Sequence, residues 1–72
     1  MGYELWDRFT GNLIGDFDTQ VEALEVVRAQ LEADGPKGLD RIALTRVADQ
    51  GRTTTVIAEG AELLLLIQAA AG

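Results

Sequence analysis

The feature that most constrains this chain is a pattern that occurs twice. In each half, two short segments of alternating character flank a glycine, and a segment with helical spacing follows. Alternation over a few residues is typical of strands, whereas apolar residues three and four apart are typical of helices. Offsetting one half by 40 residues aligns Gly11 with Gly51 and Glu22 with Glu62, too few identities to establish a duplication. The pattern predicts a single ββαββα domain spanning residues 1–72.

The first predicted hairpin lies in the stretch YELWDRFTGNLIGDF. A three-residue loop, Phe9–Gly11, would place its glycine in the left-handed conformation that glycine adopts without steric cost. This loop predicts the facing pairs Tyr3–Phe17, Leu5–Gly15 and Trp6–Ile14. Strand alternation then puts Tyr3, Leu5, Leu13 and Phe17 on one face, and Trp6 and Ile14 on the other.

A helix is predicted after this hairpin because both of its ends carry signals. Thr19 and Glu22 have the spacing of a capping box, and Gly35 followed by Pro36 is a strong stop signal. The apolar residues between these ends recur at helical spacing: Val21, Leu24, Val27 and Leu31.

The second predicted hairpin has its own glycine-ended loop, Asp49–Gly51. The β-branched run 53–57 that follows supports a strand. A three-residue loop predicts the facing pairs Leu44–Val56, Ala43–Ile57 and Thr45–Thr55. The tail AELLLLIQAAAG then predicts a second helix that is apolar nearly all round, and such a helix is buried on more than one side.

These elements predict an α+β fold with a four-stranded antiparallel sheet in the order 2-1-3-4. A right-handed crossover between the second and third strands would bring both helices onto one face. That face carries Tyr3, Leu5, Phe17 and Leu44. Trp6, Ile14 and Ile57 are left on the other face, where no helix is predicted to cover them.

Size and composition exclude several classes of protein. At 72 residues the chain buries only about 60% of its unfolded surface, so it is marginal without staples or partners. It has no cysteine and no histidine, which excludes disulfides and metal sites built on thiolates or imidazoles. The net charge of −6 disfavours nucleic acid and anionic membrane surfaces and favours a basic protein partner. We therefore expect self-association to supply the missing stability.

The sequence shows no pattern typical of a secretory signal or a membrane span. No positively charged, apolar leader follows Met1. The longest aliphatic run, Leu63–Ile67, is far shorter than the roughly 20 residues that span a bilayer. We therefore expect a cytoplasmic protein with no membrane partner.

Four parts of the chain can be compared with known proteins: YELWD, TGNLIGDFDT, a helix containing EAL and VR, and IAEGAEL. Together they resemble a group of small bacterial proteins of unknown function. The resemblance spans nearly the whole chain, but its motifs consist of turns and core positions. It implies the ββαββα architecture and supplies no reaction or substrate. The apolar tail departs from the more polar ending of that group, which favours a buried interface for the second helix.

The motifs that suggest chemistry have structural interpretations as well. Asp16 and Asp18 form a DxD pair, which holds Mg²⁺ or Mn²⁺ in some enzymes; alternatively, one acid is a solvated strand residue and the other belongs to the helix cap. The threonine run 53–55 has no histidine to activate a nucleophile. Neither Gly11–Gly15 nor the segment 35–38 has the ending of a phosphate-binding loop. We assign no catalytic, cofactor-binding or metal-binding residue, and expect no enzyme.

Three functions remain as hypotheses. The leading one is a non-enzymatic, homo-oligomeric protein-interaction or regulatory module, most simply a homodimer. Its predicted interface combines the second sheet face with the terminal helix: Trp6, Ile14, Ile57, Leu63, Leu65 and Leu66. The alternative is a small-molecule or divalent-metal binding domain centred on Trp6 and Asp16. The third is an acidic, antitoxin-like inhibitor of a basic protein, supported by charge alone.

Overall fold

The computed structural model describes residues 2–71 and has the predicted α+β architecture. Its elements are β1 (Tyr3–Asp7), β2 (Leu13–Phe17), α1 (Gln20–Asp34), β3 (Ile42–Ala48), β4 (Thr53–Glu59) and α2 (Glu62–Ala71). The four strands form one antiparallel sheet in the order β2-β1-β3-β4, which confirms the predicted topology. The domain measures 33 × 30 × 16 Å, so a single layer of helices lies on a single sheet.

The first hairpin keeps the predicted register only at its open end. Tyr3 faces Phe17 and Leu5 faces Gly15, as expected, but Trp6 faces Leu13 rather than Ile14. The reason is the loop, which has four residues, 8–11, instead of three: the Asp7 N–H donates to the Asn12 carbonyl at 2.8 Å. Ile14 is therefore the extra residue of a β-bulge. Leu13, which faces Trp6, moves to the face opposite the one predicted for it.

Helix α1 begins and ends where its capping signals predict. The Thr19 hydroxyl accepts the Glu22 N–H at 3.2 Å and donates to the Glu22 carboxylate at 3.0 Å. At the other end the Gly35 N–H donates to the Leu31 carbonyl at 2.8 Å, with φ +74° at Gly35, a conformation that favours glycine. The apolar stripe was predicted less well. Its buried members are Ala23, Leu24 and Val27, whereas Val21 is 62% exposed.

A short 3₁₀ segment, Pro36–Arg41, connects α1 to β3 and was not predicted. Its Leu39 is almost fully buried and belongs to the main core. The segment therefore closes one end of the domain with an apolar side chain and does not act as a passive linker.

The second hairpin differs from its predicted register throughout. Thr45 faces Val56 and Leu44 faces Ala58, so the predicted pairs Leu44–Val56, Ala43–Ile57 and Thr45–Thr55 are wrong. Two irregularities cause this shift. The strands are joined by four residues, 49–52, and a bulge lies between Val56 and Ala58 on β4. In the observed register Ile57 does not lie beside Trp6, because its side chain packs against the helix-covered core.

Both helices pack on the same face of the sheet, as predicted. One core joins Leu5 and Leu44 of the central strands to Val27 of α1 and Leu63 of α2, and all four side chains are fully buried. Ala58 and Ile67 extend this core towards α2. The terminal helix thus rests on its own sheet. Among the described residues, no helix is long and apolar enough to cross a membrane.

Candidate functional site

The opposite side of the sheet, which we call the open face, carries no helix in the described part of the chain. Strand pairing puts five central residues on it: Trp6, Leu13, Ala43, Thr45 and Val56. Ala43 and Thr45 are nonetheless buried. Leu13 is 48% exposed and Val56 is 54% exposed. The result is a shallow apolar surface across all four strands, of the kind that marks interaction sites in soluble domains.

Trp6 lies on this surface between Leu13 and Ala43 and is half-buried. Its indole N–H donates to the Glu4 carboxylate at 3.2 Å, between two side chains of the same strand face. The one polar atom of the indole is therefore satisfied within the domain, and what the ring offers to a partner is apolar area. Large aromatic side chains with this character are enriched among the residues that dominate interface energies.

The charges of the open face are unevenly distributed along β1. Towards the start of this strand, Glu4 lies on the face itself, between Asp16 of β2 and Thr45 of β3 in the strand pairing. At the other end, the Arg8 guanidinium lies 3.6 Å from the Glu59 carboxylate and donates to the Asp40 carbonyl at 3.0 Å. Because Arg8 and Glu59 are both about two-fifths exposed, their ion pair contributes little stability. Its main effect is to hold a positive group at the end of β1 opposite the acids.

The six predicted interface residues do not share one surface. Trp6 is on the open face, and Ile14, at the bulge beside it, is 46% exposed. Ile57 and Leu66 are partly buried against the core, and Leu63 is fully buried within it. These three side chains therefore pack inside the single domain. Leu65 is 66% exposed, on the outer side of the helix layer. The open face and the exposed part of α2 therefore lie on opposite sides of the domain.

Leu13 and Val56, both on the open face, were missed by sequence reasoning. Their placement depends on two bulges and on loops one residue longer than predicted. A signal was present in Asp7, since aspartate is typical of the first position of a turn. Its side chain caps the first loop, which favours a four-residue connection.

The densest polar cluster surrounds Asp7, at the tip of the first hairpin. One carboxylate oxygen accepts the backbone N–H groups of Phe9 (2.9 Å) and Thr10 (3.2 Å). The other accepts the Arg41 Nε and Nη2 donors at 3.0 and 2.7 Å. Arg41 also lies 5.6 Å from the centre of the Phe9 ring. Every member has a partner within the domain, so the cluster joins the hairpin tip to the turn before β3 and presents no vacant reactive group.

We expect this cluster to make the stability of the fold depend on pH. The hydrogen bonds from Arg41 hold the pKa of Asp7 below its ordinary value of 3.8, with help from the Phe9 and Thr10 amides and against partial desolvation. Since the folded pKa is the lower one, the contribution is complete above the unfolded pKa and is lost as pH falls through the folded pKa.

We therefore expect unfolding in urea to become easier on acidification, and Asp7→Asn to lose part of that dependence. The measurement is the free energy of unfolding between about pH 2 and pH 6, the range in which an aspartate carboxylate titrates. Asp40→Asn, an exposed acid in the neighbouring turn, is the matched control. A pH profile that is equally steep in wild type and Asp7→Asn would contradict the assignment.

The residues suggested for metal or covalent chemistry do not converge. Asp16 lies on the open face, whereas Asp18 lies just before the capping residue Thr19. In residues 2–71 no group of three or more acidic side chains is placed to hold a metal ion. The Thr53 hydroxyl donates to the Asp49 carboxylate at 3.1 Å, an ordinary turn contact. A small cleft of about 150 Å³ lies between α1 and α2, lined by Val21, Leu24, Glu25, Arg28, Ile67 and Ala70.

Comparison of this chain with protein-family models, with curated proteins and with solved structures finds no match.

Proposed function

We propose that this protein is a non-enzymatic interaction module that associates with a second copy of itself through the open face of its sheet. The observation that carries the proposal is the apolar surface around Trp6, on a face that neither helix covers. Removing the apolar side chains of Trp6, Leu13 and Val56 from water is favourable, because it lowers the free energy of the protein and solvent together. A second sheet face packs against such a surface at about 10 Å, as in β-sandwiches.

The charges on either side of Trp6 along β1 favour a second copy as the occupant. Glu4 and Arg8 lie at opposite ends of β1, about 13 Å apart for four residues of strand. When two open faces stack about a twofold axis perpendicular to the strands, β1 of one copy runs opposite to β1 of the other. Arg8 of each copy then lies over Glu4 and Asp16 of the other. The two Trp6 side chains then lie opposite each other, and Arg8 of each copy, whose exposed pair with Glu59 is weak, gains two acidic neighbours.

The size of the face predicts the strength of this contact. Four strands of five to seven residues cover roughly 400 Å², about half of the 800 Å² that each partner buries in a standard interface. The face contact by itself is therefore weak, and assembly should depend on concentration in the micromolar range or above.

The test is the solution mass, measured by light scattering and sedimentation from about 5 to 500 µM, a range that brackets a weak dimer. We expect the wild-type mass to rise with concentration, and the mass of Trp6→Glu to stay below it and to approach half of the wild-type value at the highest concentrations. Leu65→Glu is the matched control, since it adds the same charge on the opposite side of the domain. Circular dichroism of each variant checks that the fold is retained.

Two outcomes contradict the proposal. One is a folded Trp6→Glu variant that assembles as the wild type does. The other is loss of assembly in Leu65→Glu alone, which would move the contact to the helix layer.

A further inference from the structure

Strand β4 forms an edge of the sheet. Within residues 2–71 it has one neighbouring strand, β3, and its other side faces outwards. An edge strand presents a row of backbone N–H and C=O groups to the solvent, and these groups bind another strand unless the protein prevents it.

The antiparallel ladder determines which groups of β4 face outwards. The Val47 N–H donates to the Gly2 carbonyl at 2.8 Å, so the backbone groups of Val47 are directed towards β1. Alternation directs those of Arg46 and Ala48 towards β4, where they bond Thr55 and Thr53. Thr54 and Val56, which face Val47 and Thr45, therefore direct their N–H and C=O groups away from the sheet.

The two edges of the sheet differ in how well they are protected. The edge strand β2 has five residues and includes a bulge, a glycine and the charged Asp16. These are the devices by which proteins prevent edge pairing. In β4, the six residues 53–58 are Thr, Thr, Thr, Val, Ile and Ala, with no charge, proline or glycine. The bulge in β4 comes after Val56, so the stretch 53–56 remains regular.

We propose that β4 pairs with β4 of a second copy, antiparallel and about a twofold axis through Thr55. In this register Thr54 of each copy faces Val56 of the other, and their outward groups form four hydrogen bonds between the chains. The pairing needs no rearrangement, because all of these groups already point outwards in the single domain. The two sheets become one continuous sheet of eight strands.

The charges at the ends of β4 favour a second copy over an arbitrary extended peptide. Arg52 immediately precedes the strand, and Glu59 is its last residue. Antiparallel pairing about Thr55 brings Arg52 of each chain next to the end of β4 in the other, one residue out of register with Glu59. Both ends of the contact thus join opposite charges, and the uncharged centre creates no repulsion.

This contact goes beyond the proposed function and is independent of it. The twofold axis is perpendicular to the sheet, so the open faces of the two copies lie side by side on one surface. That doubles the face to roughly 800 Å², the area that each side of a stable interface buries. Face stacking of two such pairs would give a tetramer with two kinds of contact.

The experiment removes one donor and leaves the domain intact. Thr54→Pro removes an outward N–H at an edge position, where proline is tolerated because the ladder to β3 does not use that group. Thr54→Val retains the N–H and is the matched control. At a concentration where the wild type is fully assembled, we expect Thr54→Pro to have half of the wild-type mass and Thr54→Val to have all of it.

A second measurement does not depend on any variant. Amide hydrogen exchange of wild-type Thr54 and Val56 is expected to slow by about tenfold or more as the protein is concentrated into the assembled range. Unchanged exchange at both amides, together with wild-type mass in Thr54→Pro, would overturn the edge contact.

The double variant separates this inference from the proposed function. If both contacts exist, Thr54→Pro and Trp6→Glu each leave a two-chain species, and the combined variant is monomeric. If only the face contact exists, Thr54→Pro matches the wild type while Trp6→Glu is monomeric, which overturns the edge. If only the edge exists, the two results are reversed. A wild type that is monomeric throughout overturns both.

Discussion

Truncation of Leu44 to alanine is expected to lower the free energy of unfolding by about 2–5 kcal/mol, the usual cost of a cavity at a well-packed leucine. Leu44 is fully buried on the central strand β3, and Leu5, its partner on β1, is equally buried. Both side chains lie in the core between the sheet and the helices. Leu5→Ala should therefore cost a similar amount. Urea unfolding monitored by circular dichroism measures both losses.

Leu13→Ala is the matched control for this pair. It is the same substitution, made on the open face at a leucine that is 48% exposed. We expect its effect at low protein concentration to be small compared with that of Leu44→Ala. Losses below about 1 kcal/mol at both Leu5 and Leu44 would mean that the helices cover the other face.

The second large effect is expected at Leu63, in the apolar run of α2. Leu63 is fully buried beneath the helix, whereas Leu65, two residues later, is 66% exposed. Leu63→Ala should cost about 2–5 kcal/mol, and Leu65→Ala should lie within about 0.5 kcal/mol of wild type. The pair tests whether α2 belongs to its own domain, since both variants make the same change in one helix.

The measurement is again urea unfolding, carried out at a concentration low enough to keep the chain monomeric. Equal losses at Leu63 and Leu65 would indicate that α2 is buried on several sides, as its composition alone suggested. A negligible loss at Leu63 would contradict its placement in the core.

The two proposed contacts use different parts of one small sheet, its open face and its β4 edge. The open face supplies apolar area around Trp6, and the edge supplies backbone groups at Thr54 and Val56. A chain of 72 residues has little core of its own, and either contact adds burial that the single domain lacks. Assembly and stability are therefore expected to rise together with concentration.

Local signals in the sequence were sufficient wherever the determining contacts are local. The caps of α1 depend on Thr19 and Glu22, three residues apart, and on the glycine at Gly35. Strand order followed from the hairpins and a single helical crossover, and the burial of Leu5 and Leu44 followed from strand alternation. The placement of both α1 and α2 on the face away from Trp6 was predicted in the same way.

Local signals were insufficient where a single residue changes the outcome. A loop that is longer by one residue shifts the facing residues, and because side chains alternate along a strand, such shifts change which face a residue occupies. Leu13 moved to the open face in this way, and Val56 replaced Ile57 there. The capping of the first loop by Asp7 depends partly on Arg41, which is 34 residues distant in sequence.

What the sequence by itself determined was the order of elements, the caps of α1, the central core and the lack of cysteine and histidine, because each depends on residue type or short spacing. Only the tertiary structure decided the bulges, the burial of Leu39 and Leu63, and the separation of Leu65 from Trp6. The apolar run in α2 was compatible with burial on any side. In the structure only one side of the run is buried. Leu63 and Ile67 pack in the core with the sheet, whereas Leu65, on the other side of the helix, remains exposed.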